Sequence, residues 1–208
     1  MRRFSAEPPG QDTSRRAHGE EARLGVLGVE VATAERYGPG EEAADIEPGD
    51  FILAHRHHLL ARLISLAQRR RFKGPDAVFA HWSHTALLVE ADGALVEAEV
   101  MGVRQDPISR YRVDEYHLVR LGTEFSSEGR SRAVAYAMAQ VGQGFGFLDM
   151  FGASLYLLFG RQVRVARRGH EICSGLVVRA LQAGGLVPQL DPLLTLPADL
   201  AKLCDVRS

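Results

Sequence analysis

Cysteine is scarce in this chain. Its 208 residues hold two, Cys173 and Cys204. Two cysteines make no disulfide framework, and their spacing matches no zinc ligand set. A reducing compartment is the simpler inference. An excess of charge is also missing: 25 Lys and Arg against 26 Asp and Glu leave a formal net charge of -1. No global basic field argues for nucleic acid. Long apolar runs are absent too. The longest, from Phe147 to Phe159, contains Asp149 and is shorter than the ~20 residues that a spanning helix needs. The start, Met1-Arg2-Arg3-Phe4-Ser5, is basic, but no apolar segment follows it. It therefore reads as neither a secretory nor a twin-arginine signal. The expectation is a soluble, cytoplasmic protein, with signal-less export left open.

What is present suits one domain with a substantial core. Hydrophobic residues make up 46% of the chain, enough for a globular fold rather than disorder. Residues 1–45 are the poorest core formers. Pro8-Pro9-Gly10, Ser14-Arg15-Arg16 and Gly19-Glu20-Glu21 are turn-rich and charged. A short Leu24-Gly25-Val26-Leu27-Gly28-Val29 run precedes the Gly38-Pro39-Gly40 break. This stretch reads as a disordered or loosely packed tail, and the domain proper as 46–208.

That domain opens on Pro48-Gly49-Asp50, a turn leading into the apolar strand Phe51-Ile52-Leu53. His55, His57 and His58 follow. No Cys, Asp or Glu lies within the next turn to complete a metal site, so a polar loop or helix entry is the better reading. Leu59, Leu60, Leu63, Ile64 and Ala67 give an apolar stripe at helical spacing. It ends in Arg69-Arg70-Arg71-Phe72-Lys73, which suits a helix C-terminus. A phosphate or membrane-surface contact is the alternative. After Gly74-Pro75-Asp76, the run Trp82 to Glu90 and the run Leu95 to Val100 read as a hairpin about Asp92-Gly93. With a two-residue turn, Glu97 falls opposite Leu88 and Glu99 opposite Ala86. Both glutamates then lie on the His84 face, with Val96, Ala98 and Val100 on the core face. Tyr116 to Leu121 is a further strand. Ala133, Val134, Ala137, Met138 and Val141 share one helix face. The aromatic run after Gly144 reads as a buried helix or the lining of an apolar channel, and residues 161–168 as a basic strand or loop. Pro188, Pro192 and Pro197 mark an irregular C-terminal segment.

The most informative stretch is Glu171-Ile172-Cys173-Ser174-Gly175-Leu176-Val177-Val178-Arg179-Ala180-Leu181. Leu176, Val177, Ala180 and Leu181 fall at helical spacing behind Cys173. A thiol in a helix's first turn sits near free N–H groups and the positive end of the dipole. Both favour thiolate, which is the nucleophile. Small Ser174 and Gly175 are expected to leave room for a substrate. The competing reading of Cys173 is a small buried apolar residue. A nucleophilic cysteine needs a base, and that base needs an orienting group. His84 is the best base, because it opens a strand in an otherwise apolar run. His81 would point to the other face, and His170 is close to Cys173 in sequence.

Ser83-His84-Thr85-Ala86-Leu87-Leu88-Val89, then Val96-Glu97-Ala98 with Gly102-Val103, then Ile172-Cys173-Ser174-Gly175-Leu176-Val177 resemble the permuted branch of the NlpC-type papain-like superfamily, in its YiiX-like subgroup. The resemblance covers about residues 46–186. It implies an α+β, circularly permuted papain-like fold: an antiparallel sheet packed against helices, with histidine preceding cysteine. It implies Cys173 as nucleophile, His84 as base and Glu97 as orienter, with Glu99 in reserve. Thr85 departs from the small residue usual after the histidine, and Leu148-Asp149 stands where many members have Tyr-Asp. The implied activity is a cysteine hydrolase cleaving a peptide, isopeptide or related acyl bond through an acyl-enzyme, without cofactor or metal. A lipid thioesterase or acyltransferase of the same superfamily needs an apolar tunnel. A non-catalytic binding module would leave the three residues ungrouped.

Overall fold

The structure, a computed structural model, describes residues 20–21, 33–145, 170–186 and 190–208. The elements in chain order are strands β1 (Glu20–Glu21), β2 (Thr33–Tyr37) and β3 (Phe51–His55), then helix α1 (Leu59–Arg71) and a 3-10 turn (Gly74–His81). Strands β4 (His84–Leu88), β5 (Ala94–Glu99) and β6 (Gly102–Pro107) follow, then a second 3-10 turn (Ile108–Tyr111) and β7 (Glu115–Val119). The chain continues with α2 (Ser127–Ala139), β8 (Gly144–Phe145), β9 (His170–Glu171), α3 (Cys173–Ala183) and α4 (Pro197–Leu203). Seven strands form one antiparallel sheet in the order β1-β2-β7-β3-β4-β5-β6, while β8 and β9 pair in parallel. The chain is α+β, as its pattern of runs predicts.

Alternation along the strands feeds two cores, one on each side of the sheet. On one side Phe51, Leu53, Leu87, Val96 and Ala98 pack with Ala133 and Ala137 of α2, Leu176 and Val177 of α3 and Leu200 of α4. On the other, Ile52, Ala54, Ala86, Leu88 and Leu95 pack with Ile108, Tyr111, Tyr116 and Leu118. Val96 and Ala98 take the face expected of them. Val100 sits beyond the end of β5 and is 52% exposed.

The register of the β4–β5 hairpin differs from expectation. Leu88 lies opposite Leu95, and Leu87 opposite Val96. The connection runs from Glu90 to Gly93, where the Gly93 N–H donates to the Glu90 carbonyl at 3.1 Å. Gly93 has φ +93°, and a Cβ there would lie 2.7 Å from Ile108 Cγ2, so a turn of this shape needs glycine. The loop is two residues longer than expected. An even slip keeps every side chain on its own face, and Glu97 and Glu99 stay with His84.

Residues 33–45, read from the sequence as tail, belong to the sheet and its cover. Strand β2 pairs with β7 from Ala34↔Val119 to Tyr37↔Tyr116. The Arg120 guanidinium donates to both Glu35 oxygens at 3.0 Å, and the Ala43 N–H donates to the Tyr116 hydroxyl at 2.9 Å. Only Ala34 and Tyr37 of this strand pack against the cores, while Glu35 and Arg36 form ion pairs, so it has no apolar period to read. The Leu24–Val29 run lies outside the described residues, as do residues 146–169 with the aromatic and basic runs. The proline-marked C-terminus is not irregular throughout. Pro197 begins α4, where its missing N–H costs nothing, and Asp199 Oδ2 accepts from the Leu196 N–H at 2.9 Å.

The Pro-Gly-Asp turn has a structural reason. Asp50, 1% exposed, accepts from Arg130 Nη1 at 2.8 Å and from the Leu121 N–H at 2.9 Å. Arg130 also donates to the Leu121 and Pro48 carbonyls. Burial pushes the Asp50 carboxyl up, against the pull of Arg130 and the Leu121 amide. Removing one partner of a buried pair leaves the other uncompensated. Arg130→Met is expected to lower the free energy of unfolding in urea by about 3–5 kcal/mol. A loss below about 1 kcal/mol, the size of an exposed pair, would show that this pair does not anchor the turn.

Candidate active site

Three elements from distant parts of the chain deliver the site. His84 is the first residue of β4, Glu97 lies within β5, and Cys173 is the first residue of α3. The α3 N-cap is Ile172, whose side chain caps nothing. The first amides of the helix are thus left without a side-chain acceptor from the cap beside the sulfur. The periodicity behind Cys173 holds: Leu176, Val177, Ala180 and Leu181 are all buried, and the helix stops at Gly184.

The geometry around His84 is that of a relay. Its Nε2 is 2.7 Å from Glu97 Oε2. The Cys173 side chain is its other charge-bearing neighbour, near enough to raise the imidazole's pKa. With Nε2 held by Glu97, Nδ1 is the nitrogen left for the thiol. His84 is 6% exposed, Cys173 7% and Glu97 0%. Burial alone would lower the imidazole's pKa. The Cys173 sulfur and the Glu97 carboxylate outweigh it and raise the value to about 10. Burial alone would likewise raise Glu97, but the hydrogen bonds and charge of its neighbours, His84 first, hold it at about 2.

Glu99, on the same face, goes elsewhere. It accepts from Arg56 Nη1 at 3.1 Å and from Arg104 Nη2 at 2.7 Å. Continuing the hairpin ladder would put Glu99 opposite His84 and Glu97 on the diagonal. The ladder ends at Leu87, and the imidazole reaches the diagonal partner. Ser174 and Gly175 do not leave space for a substrate. Ser174 Oγ donates to the Thr195 carbonyl at 2.7 Å, and a Cβ on Gly175 would lie 2.6 Å from the Pro192 carbonyl oxygen. These small residues admit the C-terminal segment. Thr85 is equally settled, with its hydroxyl donating to the Ile52 carbonyl at 2.7 Å.

Four residues of the site are not apparent from the chain alone. Tyr111 Oη donates to Glu97 Oε2 at 2.5 Å. Burial, then the Glu97 charge, pushes the phenol well above its usual value, so it remains a donor. Arg104, Arg110 and Arg56 stand 3.6, 3.8 and 3.9 Å from Glu97. Arg104 lies directly opposite Glu97 on β6, so drawing the β5–β6 hairpin about Val100-Met101 would have found it. Arg56 is placed by Ser83, whose Oγ accepts from the Arg56 N–H at 2.9 Å. The three guanidiniums share Glu97, Glu99, Asp106 and Asp114. Three cations thus face four carboxylates.

The ligand atoms of His84, Glu97 and Glu99 lie within 4.8 Å of one another, close enough to hold a metal ion. The donor set does not suit one. A dication there would sit among three guanidiniums, and both glutamates already take their partners from charged donors. The His55 and His81 rings stack at 4.0 Å with 12° between planes, so their in-plane lone pairs do not converge on one ion. No protein-family model and no curated protein matches the chain. No helix among the described residues is long and apolar enough to cross a membrane.

The two shifts fix a pH window. The raised imidazole stabilises the fold fully below its ordinary 6.5, and this is lost as pH rises through about 10. The depressed carboxylate stabilises it fully above its ordinary 4.5, and this is lost as pH falls through about 2. Both contributions are complete between 4.5 and 6.5. Thermal unfolding of Glu97→Gln against the parent is expected to show its largest deficit in that window, shrinking towards pH 10. A deficit independent of pH would mean that Glu97 contributes packing rather than charge.

Proposed function

We propose that this protein is a cysteine hydrolase of the permuted papain-like kind, cleaving a peptide, isopeptide or related acyl bond through an acyl-enzyme. The observation that carries the reading is the buried His84–Glu97 hydrogen bond at 2.7 Å, with Cys173 as the imidazole's other electrostatic neighbour. The chain order, histidine before cysteine, agrees with the permuted arrangement.

In the proposed mechanism the Cys173 thiol gives its proton to His84 Nδ1, forming a thiolate–imidazolium pair. The sulfur attacks the scissile carbonyl carbon, and the developing oxyanion meets the Cys173 backbone N–H at the head of α3. His84 then gives its proton to the leaving amine as the C–N bond breaks, leaving a thioester on Cys173. Water attacks the thioester and passes a proton to His84. The acid departs, and the sulfur recovers its proton. Glu97 holds the imidazole in one tautomer and orientation and steadies the imidazolium. Tyr111 and the three arginines keep Glu97 anionic.

The test uses iodoacetamide and an activated ester. Alkylation should fall on Cys173 and spare Cys204, whose thiol burial pushes up to about 12. Cys173→Ala should remove both labelling and ester turnover, and His84→Ala should slow alkylation near neutral pH. Glu97→Gln should lower turnover by about 10³-fold or more, and Glu99→Gln by less than about tenfold. Unlabelled Cys173 in the folded parent would overturn the reading. The reverse ranking of the glutamates would pass the orienting role to Glu99.

A further inference from the structure

Helix α1 is built inside out. The residues it buries are small or polar: Ala61, Ser65, Ala67 and Gln68. Gln68 pins it there, donating to the Trp82 carbonyl at 2.7 Å and accepting from the Ala198 N–H at 2.9 Å. Three of its large apolar residues face outwards. Leu59 is 75% exposed, Leu63 54% and Leu66 53%. At 100° per residue these three fall within about 60° of arc, one stripe along the helix. Among the described residues nothing covers it. The stripe expected from the sequence is split: Ala67 is buried and Ile64 half-buried, while Leu59 and Leu63 point away from the core, because Gln68 and the alanines hold the opposite face against it.

The same surface is basic. No acidic residue occurs between Asp50 and Asp76. Arg62, Arg69, Arg70 and Lys73 are exposed and make no ion pair with a described residue. Arg70 falls in line with the leucines, while Arg62 and Arg69 flank them on one side. Arg71 is the exception, paired with Asp199 at 2.7 Å. A helix with apolar residues bordered by cations has the composition of one that lies in a bilayer interface, leucines among the acyl chains and arginines at anionic headgroups.

We propose that α1 is a docking surface for an anionic lipid bilayer, entered by Leu59, Leu63 and Leu66 and held by Arg62, Arg69 and Arg70. Charge complementarity selects the occupant: the stripe supplies apolar area and its border supplies positive charge that no described residue pairs. The docked helix would bring the site close to the bilayer. Its N-cap is His58, whose Nδ1 accepts from the Ala61 N–H at 3.2 Å. His58 also lies within electrostatic reach of His84. The proposal stands apart from the hydrolase reading, since it uses none of that reading's residues.

The experiment is sedimentation of the full chain with vesicles of phosphatidylcholine, with and without phosphatidylserine. The parent should bind the anionic vesicles and leave the neutral ones largely free. Leu63→Ser with Leu66→Ser should weaken binding about tenfold or more. Each of Arg62→Gln, Arg69→Gln and Arg70→Gln should weaken it about five-fold, with added salt acting in the same direction. Unchanged thermal melting of these surface variants separates loss of docking from loss of fold. Cys173→Ala should bind like the parent, so its result bears on the chemistry alone. Three outcomes would overturn the proposal. One is absence of binding to anionic vesicles. Another is binding that heparin abolishes and the leucine changes leave untouched, which is charge without insertion. The third is a dimer dispersed by the leucine changes in a chain that ignores vesicles.

Discussion

A carboxylate wholly removed from water is the demand around which this site is built. Glu97 has no solvent exposure, yet it is held ionised at about 2. Two short hydrogen bonds, from His84 and Tyr111, fall on the same oxygen, Oε2. The other oxygen has no hydrogen-bond partner and relies on the Arg104 and Arg110 guanidiniums at 3.6 and 3.8 Å. Neither set suffices alone, since an isolated buried anion costs more than one neutral donor returns. The strands around Glu97 follow from this need. Strand β6 sets Arg104 opposite it, the Ile108–Tyr111 turn swings the phenol beneath it, and Ser83 holds Arg56 at the rim. The charge beside His84 is therefore a property of three strands and a turn.

That distribution explains what could be read from the chain. His84, Glu97 and Cys173 stand out because each breaks a pattern: a polar residue in an apolar run, or a thiol at a helix start. Tyr111 breaks none. It lies in Ser109-Arg110-Tyr111-Arg112, a stretch with no apolar period, and its role exists only once the chain folds back on β5. The arginines were hidden for a related reason. On β6 the alternation of Arg104 and Asp106 resembles that of an ordinary solvated edge, and its meaning depends on the register across to Glu97. The hairpin itself was legible in its faces and not in its register, because side-chain parity survives an even slip and turn length does not announce itself. Strand β2 is not legible because backbone pairing and ion pairs, which have no apolar period, hold it.

The two cysteines show how helix polarity and neighbours decide the fate of one residue type. Cys204 closes α4 at its C-terminal end, packed in the larger core. Burial is the whole of its environment and pushes its thiol up to about 12. Cys173 is equally hidden by area, but it opens α3 and lies near enough to an imidazole to raise its pKa. Burial by itself therefore says nothing about reactivity. The end of the helix and the group beside the sulfur carry that information.

Placing Cys173 against His84 requires fixing α3 along its axis, and the packing does this from two sides. Leu176, Val177 and Ala180 lock the helix to the sheet face opposite the Glu97 cluster. Ser174 and Gly175 draw the segment carrying Pro192 and Thr195 over its first turn, at distances only small residues permit. That segment leads directly into α4, which is tied back to the rest of the fold by Arg71–Asp199 and by the Gln68 contact with Ala198. A shift of α3 by one residue would rotate Cys173 by about 100° and carry it off His84. It would also drive a side chain into the Pro192 carbonyl. The Ser174-Gly175 pair thus acts as a register stop for the sulfur. The small residues after the cysteine leave space that the protein itself fills.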